Sequence, residues 1–169
     1  MKIEVKQSPA NAWNKFDLIV TQLTGKVGKV GWIDNSRYPD ENGKQGPLVA
    51  YVATIQEFGY PAGNIPPRPT IRPAIATQQD KWRKIALKYS KLAIEGKGSV
   101  ADIFEAVGAV AEGDIAKNIK LLTQPPLSPR TIAARLNRKT DKKTIGSLDK
   151  PLIDTGLMLA TLTHTVEDE

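Results

Sequence analysis

Apolar residues recur at helical spacing in four stretches of this chain and give way to short strand-like runs towards both ends. Ala12, Trp13, Phe16, Ile19, Val20 and Leu23 form one helical face. Ser8-Pro9 supplies an N-cap and a first helical residue before it, and Gly25 supplies a C-cap after it. The expectation is a helix with one buried face, Trp13 and Phe16 in the core. Val49, Val52, Ala53, Ile55 and Phe58 mark a short amphipathic helix over 48–58, ended by Gly59. Trp82, Ile85, Ala86, Tyr89, Leu92 and Ala93 line a long helix over 74–95, with lysines and Arg83 opposite. Ser99 caps another, over 100–123, striped by Ile103, Phe104, Val107, Val110, Ile115, Ile119 and Leu122. Gly108 and Gly113 inside that stripe each cost about 1 kcal/mol against alanine, which points to close packing against the preceding helix or to a bend.

The strand-like runs are 1–7, where polar and apolar residues alternate, 26–34, too glycine-rich for a helix, and 159–166, rich in β-branched residues. Ser128-Pro129 repeats the cap-plus-proline signal and opens a short basic helix through Arg138. Asp154 is placed to cap a turn or short helix at 155–158. Two polar stretches, about 35–47 and 139–150, read as exposed loops. With no internal repeat and no boundary, residues 1–169 form one domain. The fold class is α+β: a small antiparallel sheet from N- and C-terminal strands, with amphipathic helices packed on one face.

Between the second and third helices runs Ile65-Pro66-Pro67-Arg68-Pro69-Thr70-Ile71-Arg72-Pro73-Ala74. Each proline fixes φ, removes an amide donor and holds the preceding residue extended. The expectation is a stiff strap from which Arg68 and Arg72 project, with Pro73 in the first turn of the next helix. Glu57, just before the strap, is expected to pair with Arg68 or Arg72 in a structural role.

Composition removes several classes of chemistry. The absence of cysteine excludes disulfides, thiol catalysis and thiolate metal sites, and fits folding in a reducing cytosol. The single histidine, His164, rules out a histidine-rich metal centre and reads as a surface or edge-strand residue. No dinucleotide loop, P-loop, His-Glu-x-x-His or Gly-x-Ser-x-Gly occurs. No enzyme activity and no cofactor is therefore expected, and a hydrolase using Glu57 or His164 is the weakest reading. No run approaches the ~18 apolar residues of a membrane span, so a soluble protein without a membrane partner is expected. The net charge of +6 and pI near 9.5 attract polyanions without specifying them. The basic residues gather at Arg68 and Arg72, over 81–91 and over 130–143.

Four motifs stand in order: Gln56-Glu57-Phe58-Gly59; the strap 65–74; Pro125-Pro126-Leu127-Ser128-Pro129-Arg130-Thr131-Ile132-Ala133-Ala134-Arg135; and Lys150-Pro151-Leu152-Ile153-Asp154-Thr155-Gly156-Leu157-Met158. Together they resemble the virion-morphogenesis and tail-completion proteins of tailed bacteriophages, over roughly the last two-thirds of the chain. Two departures are Thr70, where an aromatic is common, and Leu159-Ala160-Thr161, which replaces a more polar run. The first 45 residues carry no resemblance.

The resemblance implies a structural protein of the neck or head-proximal tail end, assembled in the bacterial host cytoplasm and located in the virion. It would act as a homo-oligomeric ring of six copies that caps the tail and joins it to the head. Its partners would be tail tube or sheath proteins and head–tail connector proteins, with non-specific contact to packaged DNA. Candidate assembly residues are Glu57, Phe58, Ile65, Pro66, Pro67, Arg68, Pro69, Arg72, Asp154 and Thr155. Candidates for facing DNA in a lumen are Arg130, Arg135, Arg138, Lys139, Lys142 and Lys143. The competing reading from charge alone is a basic DNA-binding accessory protein.

Overall fold

In the computed structural model, residues 9–40, 43–138 and 144–168 are described. Helix α1 (Pro9–Thr24) leads into strand β1 (Lys26–Gly31). Helix α2 (Val49–Phe58) is followed by a single 3-10 turn (Pro61–Gly63) and the strap. Helices α3 (Ile71–Ile94) and α4 (Val100–Leu121) then form a long antiparallel pair. Helix α5 (Pro129–Leu136), the short helix α6 (Leu157–Ala160) and strand β2 (Thr163–Asp168) complete the chain. The expected strand over 1–7 lies outside the described residues.

The fold is α+β, and the sheet is a two-stranded antiparallel pair, with Lys26 opposite Asp168 and Gly31 opposite Thr163. Its N-proximal member is the 26–31 strand. Helix α4 packs on both strands and on α3, so it is the centre of the molecule. Ile115 and Ile119 of α4, Ala74 of α3 and Leu162 before β2 are buried together. A second cluster joins Ile19, Ala93, Val100 and Ile103, and a third joins Val49, Ala53 and Met158. Trp32 packs on both the Ile115–Ile119 cluster and the Val49–Met158 cluster, and donates from Nε1 to Met158 O at 2.7 Å.

Local chemistry explains the helix ends. Ser99 and Asp102 form a reciprocal capping box at α4, Ser99 Oγ accepting from the Asp102 amide and Asp102 Oδ2 from the Ser99 amide. Ser128 caps α5, with Pro129 at its first position. Helix α2 stops at Gly59, whose φ of 79° suits glycine and whose missing side chain admits Pro67, with N only 2.9 Å from where a Cβ would stand.

Several expectations are corrected. Trp13 and Phe16 are 67% and 46% exposed, so α1 buries only its Ile19 side among the described residues. Leu159 and Ala160 are helical, because Gly156 in a left-handed conformation turns the chain into α6 and the strand begins only at Thr163. Asp154 is not a cap: the N-cap of α6 is Gly156, with no side-chain hydrogen bond. Gly108 does face a close neighbour, but that neighbour is β2. A Cβ there would stand 2.7 Å from His164 Cδ2, whereas Gly113 faces open space. The 35–47 loop is mostly exposed yet tied at its base, with Tyr38 N donating to Pro47 O and Val49 N to Ser36 O.

Candidate functional site

The four motifs meet through a chain of polar contacts that begins at Glu57. This residue is in the last turn of α2 and only 6% exposed. Its Oε2 accepts the amides of Thr70 at 2.6 Å and Ile71 at 3.1 Å, and its Oε1 accepts the Arg72 amide at 3.0 Å. Those are the first amides of α3, which lacks a side-chain cap of its own at Thr70. Glu57 is therefore a remote cap, placing a negative charge at the positive end of a 24-residue helix. Arg72 closes the arrangement, donating from Nε to Glu57 Oε1 at 3.1 Å and stacking its guanidinium 4.9 Å from the Phe58 ring centre. Burial pushes the Glu57 carboxyl up, but the donors from Thr70, Arg72 and Ile71 outweigh it and hold it below the ordinary carboxylate range.

The next link is Arg68. Contrary to expectation it does not project from the strap: it is 6% exposed, and its backbone amide donates to Gln56 O at 2.6 Å. Its Nε donates to Pro125 O at 3.0 Å, its Nη2 to Pro126 O at 2.9 Å and its Nη1 to Gln56 Oε1 at 3.3 Å. Proline offers only a carbonyl to the backbone ladder, and here two consecutive proline carbonyls are turned onto one guanidinium fork. Burial lowers the Arg68 pKa, and nearby Arg135 lowers it further. Asn118 of α4 holds the strap from the other side, donating from Nδ2 to Thr70 O at 3.0 Å.

Arg135 makes the third link. One of its nitrogens, Nη1, reaches the carbonyls of Lys150 at 2.8 Å, Leu148 at 3.0 Å and Ile153 at 3.2 Å. With a side chain only 8% exposed, it is not available to face a lumen. Arg138 pairs with both carboxylate oxygens of Asp154, and Thr144 Oγ1 donates to the same group at 2.8 Å. Burial pushes the Asp154 carboxyl up, but Arg138, Thr144 and Arg135 together bring it below its ordinary value.

Among the other candidates, Phe58 is 64% exposed, Pro66, Pro67 and Arg130 are exposed, and Ile65, Pro69 and Thr155 are half-buried. Ile65 pairs with Tyr60 in an isolated antiparallel bridge. Lys139, Lys142 and Lys143 lie outside the described residues. His164 is not free at the surface: its Nδ1 is 2.6 Å from Glu112 Oε2 and its Nε2 is 3.2 Å from Glu105 Oε2. The Glu112 hydrogen bond, opposed by burial and aided by the charges of both glutamates, raises its pKa. Sequence reading missed this contact and the Arg68–Pro125 link, since both join segments far apart in the chain. The prolines at 125 and 126 were the available signal for the second. Compared with family models, curated proteins and solved structures, the chain matches none of them.

This arrangement is a brace. Glu57, Arg72, Arg138 and Asp154 neutralise one another in pairs, while Arg68 and Arg135 gather backbone carbonyls. Among the described residues no group of three or more histidine, aspartate or glutamate side chains is placed to hold a metal.

Proposed function

We propose that this chain is a structural protein of the neck or head-proximal tail end of a tailed bacteriophage, forming a ring that caps the tail and joins it to the head. The observation that carries this reading is the order and coupling of the four motifs. Each is bonded to the next, Glu57 to the start of α3, Arg68 to Pro125 and Pro126, and Arg135 and Arg138 to the 148–154 segment. Such a brace suits a part whose work is to hold shape under load, because its charged groups are occupied in fixing four chain segments to one another. The apolar and proline-rich surface around Phe58, Pro66 and Pro67 is left for neighbours.

The DNA-binding alternative draws less support. It rests on the net charge and on the basic 130–143 segment, and of that segment's described arginines Arg130 is exposed, Arg135 is buried and Arg138 is paired with Asp154. The test is the state of the purified chain by native mass spectrometry and electron microscopy. A closed ring whose mass is an integral multiple of 18.4 kDa is expected; an 18.4 kDa species at every concentration would remove the reading.

A further inference from the structure

Helix α1 presents apolar side chains on the wrong side for a monomer. Ile19 is buried against Ala93, Val100 and Ile103, but Trp13, Phe16 and Val20, which follow one another at spacings of three and four, are 67%, 46% and 40% exposed. Trp13 and Phe16 meet edge-to-face, with ring centres 6.4 Å apart, so they already form a single aromatic unit. Exposed apolar patches of this kind mark interaction sites.

A matching recess lies elsewhere on the molecule. Val30 and Trp32 on one side, and Ala53, Thr54, Phe58 and Ile71 on the other, line a groove of about 250 Å³. A cavity of ~150 Å³ can hold a benzene ring, so this groove has room for an aromatic side chain. The strand beside it, β1, pairs only with β2, so its outer edge carries no partner among the described residues.

The two features cannot meet within one subunit. Ile19 packs at Ala93, near one end of α3, and the groove lies at Ile71, the other end. At 1.5 Å per residue these ends are ~33 Å apart, while Trp13 is only ~9 Å along α1 from Ile19. The surface area points the same way. The chain exposes 11753 Å², where a compact monomer of its mass would expose roughly 8,200 Å². If the residues outside the described set are allowed the full exposure of an unfolded chain, ~2,500 Å², the described residues still exceed a compact body of their own mass, roughly 7,600 Å², by about 1,600 Å². A standard interface takes about 800 Å² from each partner, so the surplus is that of two interfaces per subunit.

We infer that the Trp13–Phe16 face of α1 docks in the Trp32–Phe58 groove of the next copy of this chain. The contact is heterologous, donor on one end and acceptor on the other, and so generates a ring or an open filament. It rests on the ring reading above and supplies that reading with a specific subunit contact.

The test uses the full chain in three forms. Trp13→Ser with Phe16→Ser removes the donor, Thr54→Arg obstructs the acceptor, and Leu87→Ser, an exposed apolar residue of α3 outside both surfaces, is the control. All three alter exposed side chains, and circular dichroism melts check that each variant folds. By sedimentation velocity the control should assemble like the wild type, and the donor and acceptor variants should each fall to 18.4 kDa. Mixed, those two variants retain one good donor and one good acceptor between them, and should form a 1:1 dimer that grows no further. Assembly of either variant at the wild-type mass would overturn the contact while leaving the ring intact. A wild type that never exceeds monomer mass would overturn the ring and the contact together.

Discussion

Arg68 donates from Nε to the carbonyl of Pro125 at 3.0 Å, tying two segments 57 residues apart in the chain. Both partners lie in proline-rich corners, and the guanidinium takes the carbonyl of Pro126 as well. A buried cation is costly unless its donors are satisfied, and here backbone carbonyls satisfy it in place of a carboxylate. The contact therefore fixes the strap and the 124–128 corner in one geometry, which neither proline run achieves alone.

Replacing Arg68 should be severe for that reason. Arg68→Met leaves the half-buried Pro125 carbonyl without its donor, at a cost of about 1–3 kcal/mol, while the carbonyl of Pro126, an exposed residue, can turn to water. Urea unfolding should show a loss on the order of 1–3 kcal/mol. Arg68→Lys should recover little of it, because a single ammonium lacks the planar fork. A loss below about 1 kcal/mol in Arg68→Met would mean the carbonyls find other donors.

Glu57→Gln should cost about 1–3 kcal/mol, because it removes the charge that meets the α3 amides and Arg72. The pH dependence has a definite sign. The folded carboxyls of Glu57 and Asp154 both lie below their ordinary values. Their contribution is thus present above the unfolded values, about 4.3 and 3.9, and is lost as pH falls through the folded ones. A melting-temperature series from neutral to acid pH should fall less steeply for Glu57→Gln than for the wild type. Parallel curves would contradict the capping role.

His164 works in the opposite direction. Its pKa is raised between Glu112 and Glu105, so its contribution is complete below the unfolded value of about 6.5 and is lost as pH rises through the folded one. As the only histidine, it gives a single pair of ring-proton resonances to follow by NMR. The titration midpoint should lie above the unfolded value and return towards it in Glu112→Gln. A midpoint at or below 6.5 in the wild type would reject the pairing.

Two glycines of α4 give a paired prediction. Gly108→Ala sets a Cβ 2.7 Å from His164 Cδ2 and must push β2 off the helix, an overpacking cost of about 1–3 kcal/mol. Gly113→Ala meets nothing within 4 Å and should stabilise by up to about 1 kcal/mol through helix propensity. Equal effects at the two positions would contradict the packing of β2 on α4.

These contrasts show which parts of the molecule could be read from the residues. Signals confined to a few neighbouring positions were legible: Ser99 before α4, Ser128 with Pro129, Gly59 after α2, and Pro73 near the start of α3. Glu57 was placed in a salt bridge, and Arg72 is the partner found. What depended on distant segments was not legible. Periodicity marked Trp13 and Phe16 as an apolar face without saying whether the same subunit covers it. The β-branched alternation at 159–166 held only from Thr163, because the left-handed Gly156 starts a helical turn first. Asp154 had the position of a cap, but Arg138 and Thr144 compete for its carboxylate and hold it. Arg68 pointed inward because its acceptors come from residues 125 and 126, which nothing local to the strap announces.

The most direct measurement of the central proposal is electron microscopy of a lysate from phage whose copy of this chain has been deleted. The account predicts DNA-filled heads and finished tails lying unjoined, with infectious particles restored when the chain is supplied in trans. Intact, infectious virions from the deletion would contradict it.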